Sequence, residues 1–393
     1  MILRKKEMAN LFYRFALIIL LCICISCGQN TTNNPEDKTV QKEIQVEINR
    51  NLITSHIIEH MVWEGNYPSR PMVLEAKSKF DKYKNHPAIK LSDSLLLNEI
   101  FYFDELTTFL LYTEDLPSIQ FKYPLEGTIY EEKRDIIERW LSLISQFYIE
   151  SDIEGFISEN QSFYEGAVQE VKNNLPPKDF VNQLESYYRT QRLSYTLIPS
   201  PEMQTGGEYG YRGIGPYIKK GDNFHIYNVI SASLPIYLDS LKYNNQYGFD
   251  DLNNITRMSY HEFGHAFVNP IFEEDSTMIE LAMQSSYLLE GKYKEIMRNQ
   301  NYGDWITVVC EYIVRLGEIR LAERSGMKEW ASELREYHIN ELDYVLLPEL
   351  ETEMIKFESS SEYDSFEEFL PNLLEVFKRF QLQDIMDKIS SSK

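Results

Sequence analysis

The chain predicts an α+β fold, predominantly helical with one small sheet, and three observations predict it. Apolar residues recur at helical spacings over most of the length beyond Val40. Only the interval from Leu193 to Ser231 is enriched instead in β-branched and aromatic residues, gathered around a cluster of glycines. Glycine is otherwise scarce, 17 in 393 residues against 27 tyrosines and 21 phenylalanines, which suits a helix-rich body better than a turn-rich all-β one.

The first 26 residues read as an address. Arg4, Lys5 and Lys6 form a basic start, and Phe15 to Ser26 is an almost wholly apolar run. Twelve helical residues reach roughly 18 Å, short of the ~30 Å hydrocarbon core of a bilayer, so a signal peptide is the better reading than a permanent span. The run ends in Cys24-Ile25-Ser26-Cys27-Gly28, which resembles a bacterial lipobox with Cys27 as the lipidated residue, although Cys24 stands where leucine is usual. Residues 1–26 are therefore expected to be a lipoprotein signal peptide and 27–39 (Cys27 to Lys38 and Thr39) a lipid-anchored flexible tether. Gly28 is not the aspartate that retains lipoproteins in an inner membrane, which favours the outer membrane in a cell that has two. Only Cys27 and Cys310 would survive processing, so no internal disulfide framework remains. Removal of four basic residues and Glu7 takes the net charge from −22 to −25, and no basic patch offsets it, which argues against nucleic acid as a partner.

Residues 40–190 form the expected N-terminal helical region. Ile44, Val46, Ile48, Leu52, Ile53, Ile57 and Ile58 mark its first segment at mixed two-, three- and four-residue spacings. Pro71 opens the next helix, and further ones are expected from about Ser92 to Tyr112, Glu131 to Tyr148, Ile153 to Lys172 and Lys178 to Thr190. His56-Ile57-Ile58-Glu59-His60 matches an inverted zinc pattern, but a structural pair of histidines is the favoured reading. His86, His225 and His338 stand alone and read as surface or core histidines. Residues 191–393 form the second region. Strands are expected at Leu193 to Pro199 and Phe224 to Ser231, separated by Gly206 to Gly213, which lacks the lysine of a phosphate loop.

The next helix is expected from about Asn254 to Val268. Asp250, Asp251 and Asn253 supply the start signals and Asn269-Pro270 the stop. It carries His261-Glu262-Phe263-Gly264-His265. Residues four apart on a helix differ by about 40° of rotation, so both imidazoles can share one tetrahedral zinc ion. Glu262 can face a metal-activated water as general base, with one Zn2+ expected per chain. The second half of the helix is apolar nearly all round, and two histidines and a glutamate are costly there without a metal or other partners.

A third ligand is required. The extension that adds a third histidine is missing, since Val268 and Ile271 occupy its positions. Glu311 lies among Val308, Val309, Cys310, Tyr312, Ile313 and Val314 on a helix expected from about Asp304 to Ser325, so its carboxylate is expected inside, where it needs a cation. Either the metal or Arg315, four residues on, could supply it. Glu318 lies on nearly the same face and is the reserve ligand; Arg315 and Arg320 could orient carboxylates or stabilise an oxyanion. Cys310 reads as packing rather than as a nucleophile.

Through His261 to Pro270 and the Glu311 helix, the chain resembles an uncharacterised family of bacterial lipoproteins, classed as a domain of unknown function, with a gluzincin-type motif. Val46 to Leu52, Asn85-His86-Pro87 and the Ile198-Pro199-Ser200-Pro201 run share in the likeness. The resemblance implies a gluzincin-like metallopeptidase body with the small sheet beside the motif helix. In zincins a strand edge near the metal pairs with extended substrate, and by that analogy Phe224 to Ser231 or Gly206 to Gly213 lines the cleft. Thermolysin-like gluzincins place an aspartate four residues after the ligand glutamate to support the first histidine; Arg315 stands there instead. The expected function is an extracytoplasmic, lipid-anchored zinc metallohydrolase acting on peptides or proteins, held to the membrane through its N-terminal lipid. The alternatives are a zinc-binding pseudoenzyme, a surface-binding lipoprotein without hydrolytic activity, or a helical lipoprotein in which the motif is accidental.

Overall fold

The computed structural model describes residues 42–62, 70–204, 212–233 and 246–392. The expected signal peptide, tether and lipidated Cys27, together with Gly206 to Tyr211, lie outside the described residues. The fold is α+β and mostly helical, with residues 41–393 forming one compact unit.

The two-residue spacing at the start decides its conformation. Ile44, Val46 and Ile48 alternate as a strand does, and β1 (Ile44–Val46) precedes helix α1 (Arg50–Val62), in a region whose pattern is mainly helical. Six helices follow: α2 (Pro71–Phe80), α3 (Pro87–Leu97), α4 (Phe103–Tyr112), α5 (Arg134–Glu150), α6 (Ile153–Glu159) and α7 (Gln161–Asn173). Two segments expected to be continuous are broken. Glu99 takes a left-handed φ of 53° between α3 and α4, and Asn160 separates α6 from α7. Helix α8 (Phe180–Tyr188) then leads into the sheet.

Strands β2 (Ser194–Ser200) and β5 (Asn223–Ser231) are the expected pair, and they run parallel, with Thr196 opposite Tyr227. β1 lies parallel on the other side of β2, with Ile44 opposite Tyr195. β3 (Gly213–Ile214) and β4 (Tyr217–Lys220) both pair antiparallel with the free side of β5. Alternation then gives each face its own layer of helices. On one face Phe224 and Ile226 join a core with Tyr260, Phe263 and the C-terminal helices, and Asn228 donates to Ser259 Oγ at 3.2 Å. On the other, Val229 and Ile198 join the core built from α1 to α7. The sheet therefore draws strands from both sides of residue 190.

Helix α9 (Leu252–Glu274) passes through the sequence expected to stop it. Asp251 caps its start by accepting from Asn254 N at 3.0 Å. Pro270 removes the N–H that would bond the Ala266 carbonyl, but Arg192 Nε donates to that oxygen at 3.1 Å, so the helix continues. The same guanidinium lies over the Phe267 ring, 4.6 Å from its centroid. Later, α12 (Trp305–Arg324) is capped by Asp304 and followed by Gly326 at φ 80°. It packs directly on α9 and against α10 (Ser276–Met283), α13 (Lys328–Glu336) and α14 (Leu347–Ser359), while α11 (Gly291–Arg298) and α15 (Phe366–Phe377) reach it through Tyr293 and Phe377, and α16 (Leu382–Ser392) follows. No helix among the described residues is long and apolar enough to cross a membrane.

Candidate metal centre

His261 and His265 lie on the face of α9 that meets α12, and their four-residue spacing sets the rings together, centroids 4.8 Å apart. Each ring is held from behind by an acceptor. His261 Nδ1 lies 2.7 Å from Glu318 Oε1, and His265 Nδ1 lies 3.3 Å from Asn269 Oδ1. Those partners place the proton on Nδ1 in both rings and leave both Nε2 lone pairs free. The two Nε2 atoms are 3.3 Å apart and face the same point.

Glu311 of α12 reaches that point from the other side. Its Oε1 is 3.4 Å from His265 Nε2 and its Oε2 is 3.7 Å from His261 Nε2. Arg315 Nη2 lies 2.9 Å from Oε2, yet at angles that make no hydrogen bond to that buried oxygen. The two readings of Glu311 left open by sequence thus both hold geometrically: it pairs with Arg315 and also converges on the histidines. Glu318 instead stands behind His261 and is not placed as a ligand. Arg320 pairs with Glu351 and Glu358, and so serves ordinary ion pairs rather than these carboxylates.

Glu262 is turned toward the sheet edge. An ideal Cβ on Gly213 would lie 2.2 Å from Glu262 Oε1, and one on Gly215 would lie 2.2 Å from the Glu262 carbonyl oxygen, so only glycine lets the edge strand pass this closely. The edge beside the motif is therefore β3 and the segment after it. Phe224 to Ser231, expected to line the cleft, is β5 and lies inside the sheet between β2 and that edge. Within the Gly206 to Gly213 segment, Gly213 is the residue seen against Glu262. His261, Glu262 and His265 each offer one ligand atom within 4.8 Å of the others.

Electrostatics follow from burial. Burial raises the Glu262 carboxyl to about 7, against the opposing pull of His261, with Glu311 and Asp104 adding to the rise. Burial also raises Glu311 and Glu318, but Arg315 and the histidines outweigh it at Glu311, and His338 and His261 do so at Glu318, so both end below the usual carboxylate range. Burial lowers His261, yet Glu311 and Glu318 leave it raised overall; His265, without such a carboxylate at its Nδ1, is lowered by burial. Burial raises the Cys310 thiol far above its usual range, which agrees with packing rather than nucleophilic chemistry.

The remaining histidines divide. His56 Nδ1 meets Ser200 Oγ at 2.6 Å, His60 Nε2 meets the Glu202 carbonyl at 2.5 Å, and Glu59 pairs with Arg212, so the inverted motif is spread over separate partners. His86 caps α3 by accepting from Ala88 N, and His225 bonds Ser194. His338 belongs to the candidate centre, because it touches Glu318 and Arg315. Sequence reasoning missed it, and it also took Asn269 only as a stop signal, although Asn269 stands one helical turn past His265.

The model of one family, Domain of unknown function (DUF4932), matches residues 52–376, which is most of the chain and includes every residue of this centre. The chain belongs to the DUF4932 family. No curated protein and no solved structure matches it. The DUF4932 domain therefore runs from α1 to α15 and contains both helical layers and all the strands but β1.

Proposed function

We propose that this chain is a zinc metallohydrolase of peptides or peptide-like amides, exported and held to the cell envelope by a lipid on Cys27. His261, His265 and Glu311 would hold one zinc ion, and Glu262 would serve as general base. One observation carries the reading: two histidine nitrogens on one helix stand 3.3 Å apart, and the carboxylate of Glu311 on a second helix faces them both, with Oε1 3.4 Å from one and Oε2 3.7 Å from the other. A tetrahedral ion with bonds of 2.0 to 2.1 Å requires donors about 3.3 Å apart. Charge supports the same reading. Glu311 and Glu318 are both held ionised inside the protein with a single guanidinium, Arg315, against them, so with neutral imidazoles a buried negative charge remains unmatched, and a divalent cation would offset it.

Zinc, when bound, supplies a Lewis acid that polarises a carbonyl and makes water nucleophilic near neutral pH. The rest is the work of this chain's own side chains. Glu318 and Asn269 fix the two rings with Nε2 outward. The Glu262 carboxylate, next to both histidines, is placed to take a proton from an attacking water and return it to a leaving amine. The Gly213 backbone passes directly against that carboxylate, so β3 is the strand beside the centre with which an extended chain would pair.

The test is metal content followed by activity. Purified protein should carry one zinc per chain, and Glu262→Gln should keep the zinc while losing hydrolysis of a peptide library. Absence of zinc refutes the metal reading. Zinc without activity, in wild type as in variant, leaves a binding protein in place of an enzyme. For the anchor, Cys27→Ser should release the chain from membranes or block its processing, and an unmodified N-terminus elsewhere by intact mass refutes the lipid.

A further inference from the structure

On the basis of that metal reading, we propose that His338 is a positioning residue of the centre, acting through Glu318 to fix the ring of His261. The residue is fully buried, in a single wide helical turn, Tyr337–Glu341, that follows α13. Turns of this kind recur where a side chain must be aimed, because the extra residue per turn rotates it out of the α-helical series. Tyr344 N bonds the His338 carbonyl at 3.0 Å and closes the turn.

Its two ring nitrogens have different partners, and these define the proton. Arg315 Nη1 lies 3.4 Å from His338 Nδ1; a guanidinium only donates, so Nδ1 accepts. Nε2 then carries the hydrogen and donates to Glu318 Oε2 at 3.3 Å. The other oxygen of Glu318 accepts from His261 Nδ1 at 2.7 Å. Arg315 in turn sits on Glu311, whose carboxylate faces the histidines. Hydrogen bonds thus run from His261 through Glu318 to His338 and Arg315, and the ion pair of Arg315 with Glu311 brings that line back to the carboxylate facing the histidines.

Glu318 needs this support. A buried carboxylate bonded through one oxygen alone is free to rotate about its last torsion, and its acceptor direction toward His261 would wander with it. His338 occupies the second oxygen and removes that freedom. Arg315 occupies the position where thermolysin-like gluzincins carry the histidine-supporting aspartate; here the support comes from Glu318, one turn further along, and a third segment of chain holds it.

The experiment measures zinc affinity of the full chain, by competition with a chromophoric chelator well below the melting temperature. The variants are His338→Leu, His338→Gln, Glu318→Ala and Glu318→Ala/His338→Leu, each checked for an unchanged circular-dichroism spectrum. Second-layer supports of metal ligands are worth about 10- to 100-fold in affinity, and His338→Leu should lose that much. His338→Gln can donate to Glu318 and accept from Arg315, and should return to within about threefold of wild type. The double variant should bind no more weakly than Glu318→Ala alone, since His338 acts only through Glu318. In the cobalt-loaded protein the visible bands should shift in His338→Leu and not in His338→Gln. A wild type that binds zinc, with His338→Leu binding equally well or with losses that multiply in the double variant, overturns the role of His338 and leaves the metal reading intact. A wild type that binds no zinc overturns both.

Discussion

Replacing Glu311 by glutamine separates its two roles. The substitution keeps the shape and removes the charge, so Arg315 loses its closest buried counterion, now at 2.9 Å. Removing one partner of a buried pair costs about 3 to 5 kcal/mol. Unfolding entropy of about 2.1 cal/mol/K per residue, over the roughly 350 residues of the compact unit, makes each kcal/mol worth about 1.4 °C in Tm. The metal-free variant should therefore melt about 4 to 7 °C below the metal-free wild type. Zinc at about 100 times its Kd adds about 2.7 kcal/mol to the wild type, or about 4 °C by the same conversion. If Glu311 is a ligand, the variant at that zinc concentration should gain less than about 1 °C, because a site reduced to two histidines is weak. Melting curves with zinc and with chelator, followed by circular dichroism, give all four values. A variant that loses stability without zinc but keeps the full zinc-dependent gain would show Glu311 to be the partner of Arg315 alone.

Three further outcomes are expected. Gly213→Ala puts a Cβ where Glu262 Oε1 now stands, so the carboxylate must move; activity on any identified substrate should fall at least about 10-fold while zinc content is unchanged, and full activity would refute the close approach. Glu202 is buried, and burial raises its carboxyl to about 7, so its contribution favours the folded state below about pH 4.5 and is lost as pH rises through about 7; Glu202→Gln should flatten that part of the stability profile and stabilise the protein at pH 8 by about 3 kcal/mol in urea titrations, and an unchanged profile would count against the shift. Arg192→Leu strips the Ala266 carbonyl of the donor that replaces the missing N–H and should cost about 1 to 3 kcal/mol, whereas Pro270→Ala in the same chain restores a backbone N–H and should recover part of it; additive losses in the pair would refute that account of the unbroken helix.

How far the sequence could be read depended on how local each signal was. The convergence of His261 and His265 was legible because four residues on one helix fix the geometry whatever surrounds it. Glu311 was legible through its neighbours: six apolar residues around one carboxylate left it nowhere to go but inward. Asn269 was misjudged because its pairing with Pro270 is a common stop signal, and only the distant Arg192 shows why the helix does not end there. His338 carried no signal at all, since its partners Glu318 and Arg315 are brought to it by the packing of separate helices. The same holds for the sheet. Two strands showed their composition, but β1 was hidden in a helical pattern and β3 is only two residues long, so strand order and the identity of the edge depended on long-range pairing.

The pairing of β1 with β2 has a consequence for the order of assembly. Its three residues join partners about 150 positions away, and closing a loop of that length carries a length-dependent entropy cost of about 4 kcal/mol. So short a strand returns little of that unless β2 and β5 already offer a finished edge. β1 is thus placed to dock last and to detach first, and its amides should exchange with solvent ahead of those of β2 and β5. The N-terminal segment of the unit can then wait, unpaired, while the helices carrying His261 and Glu311 find each other.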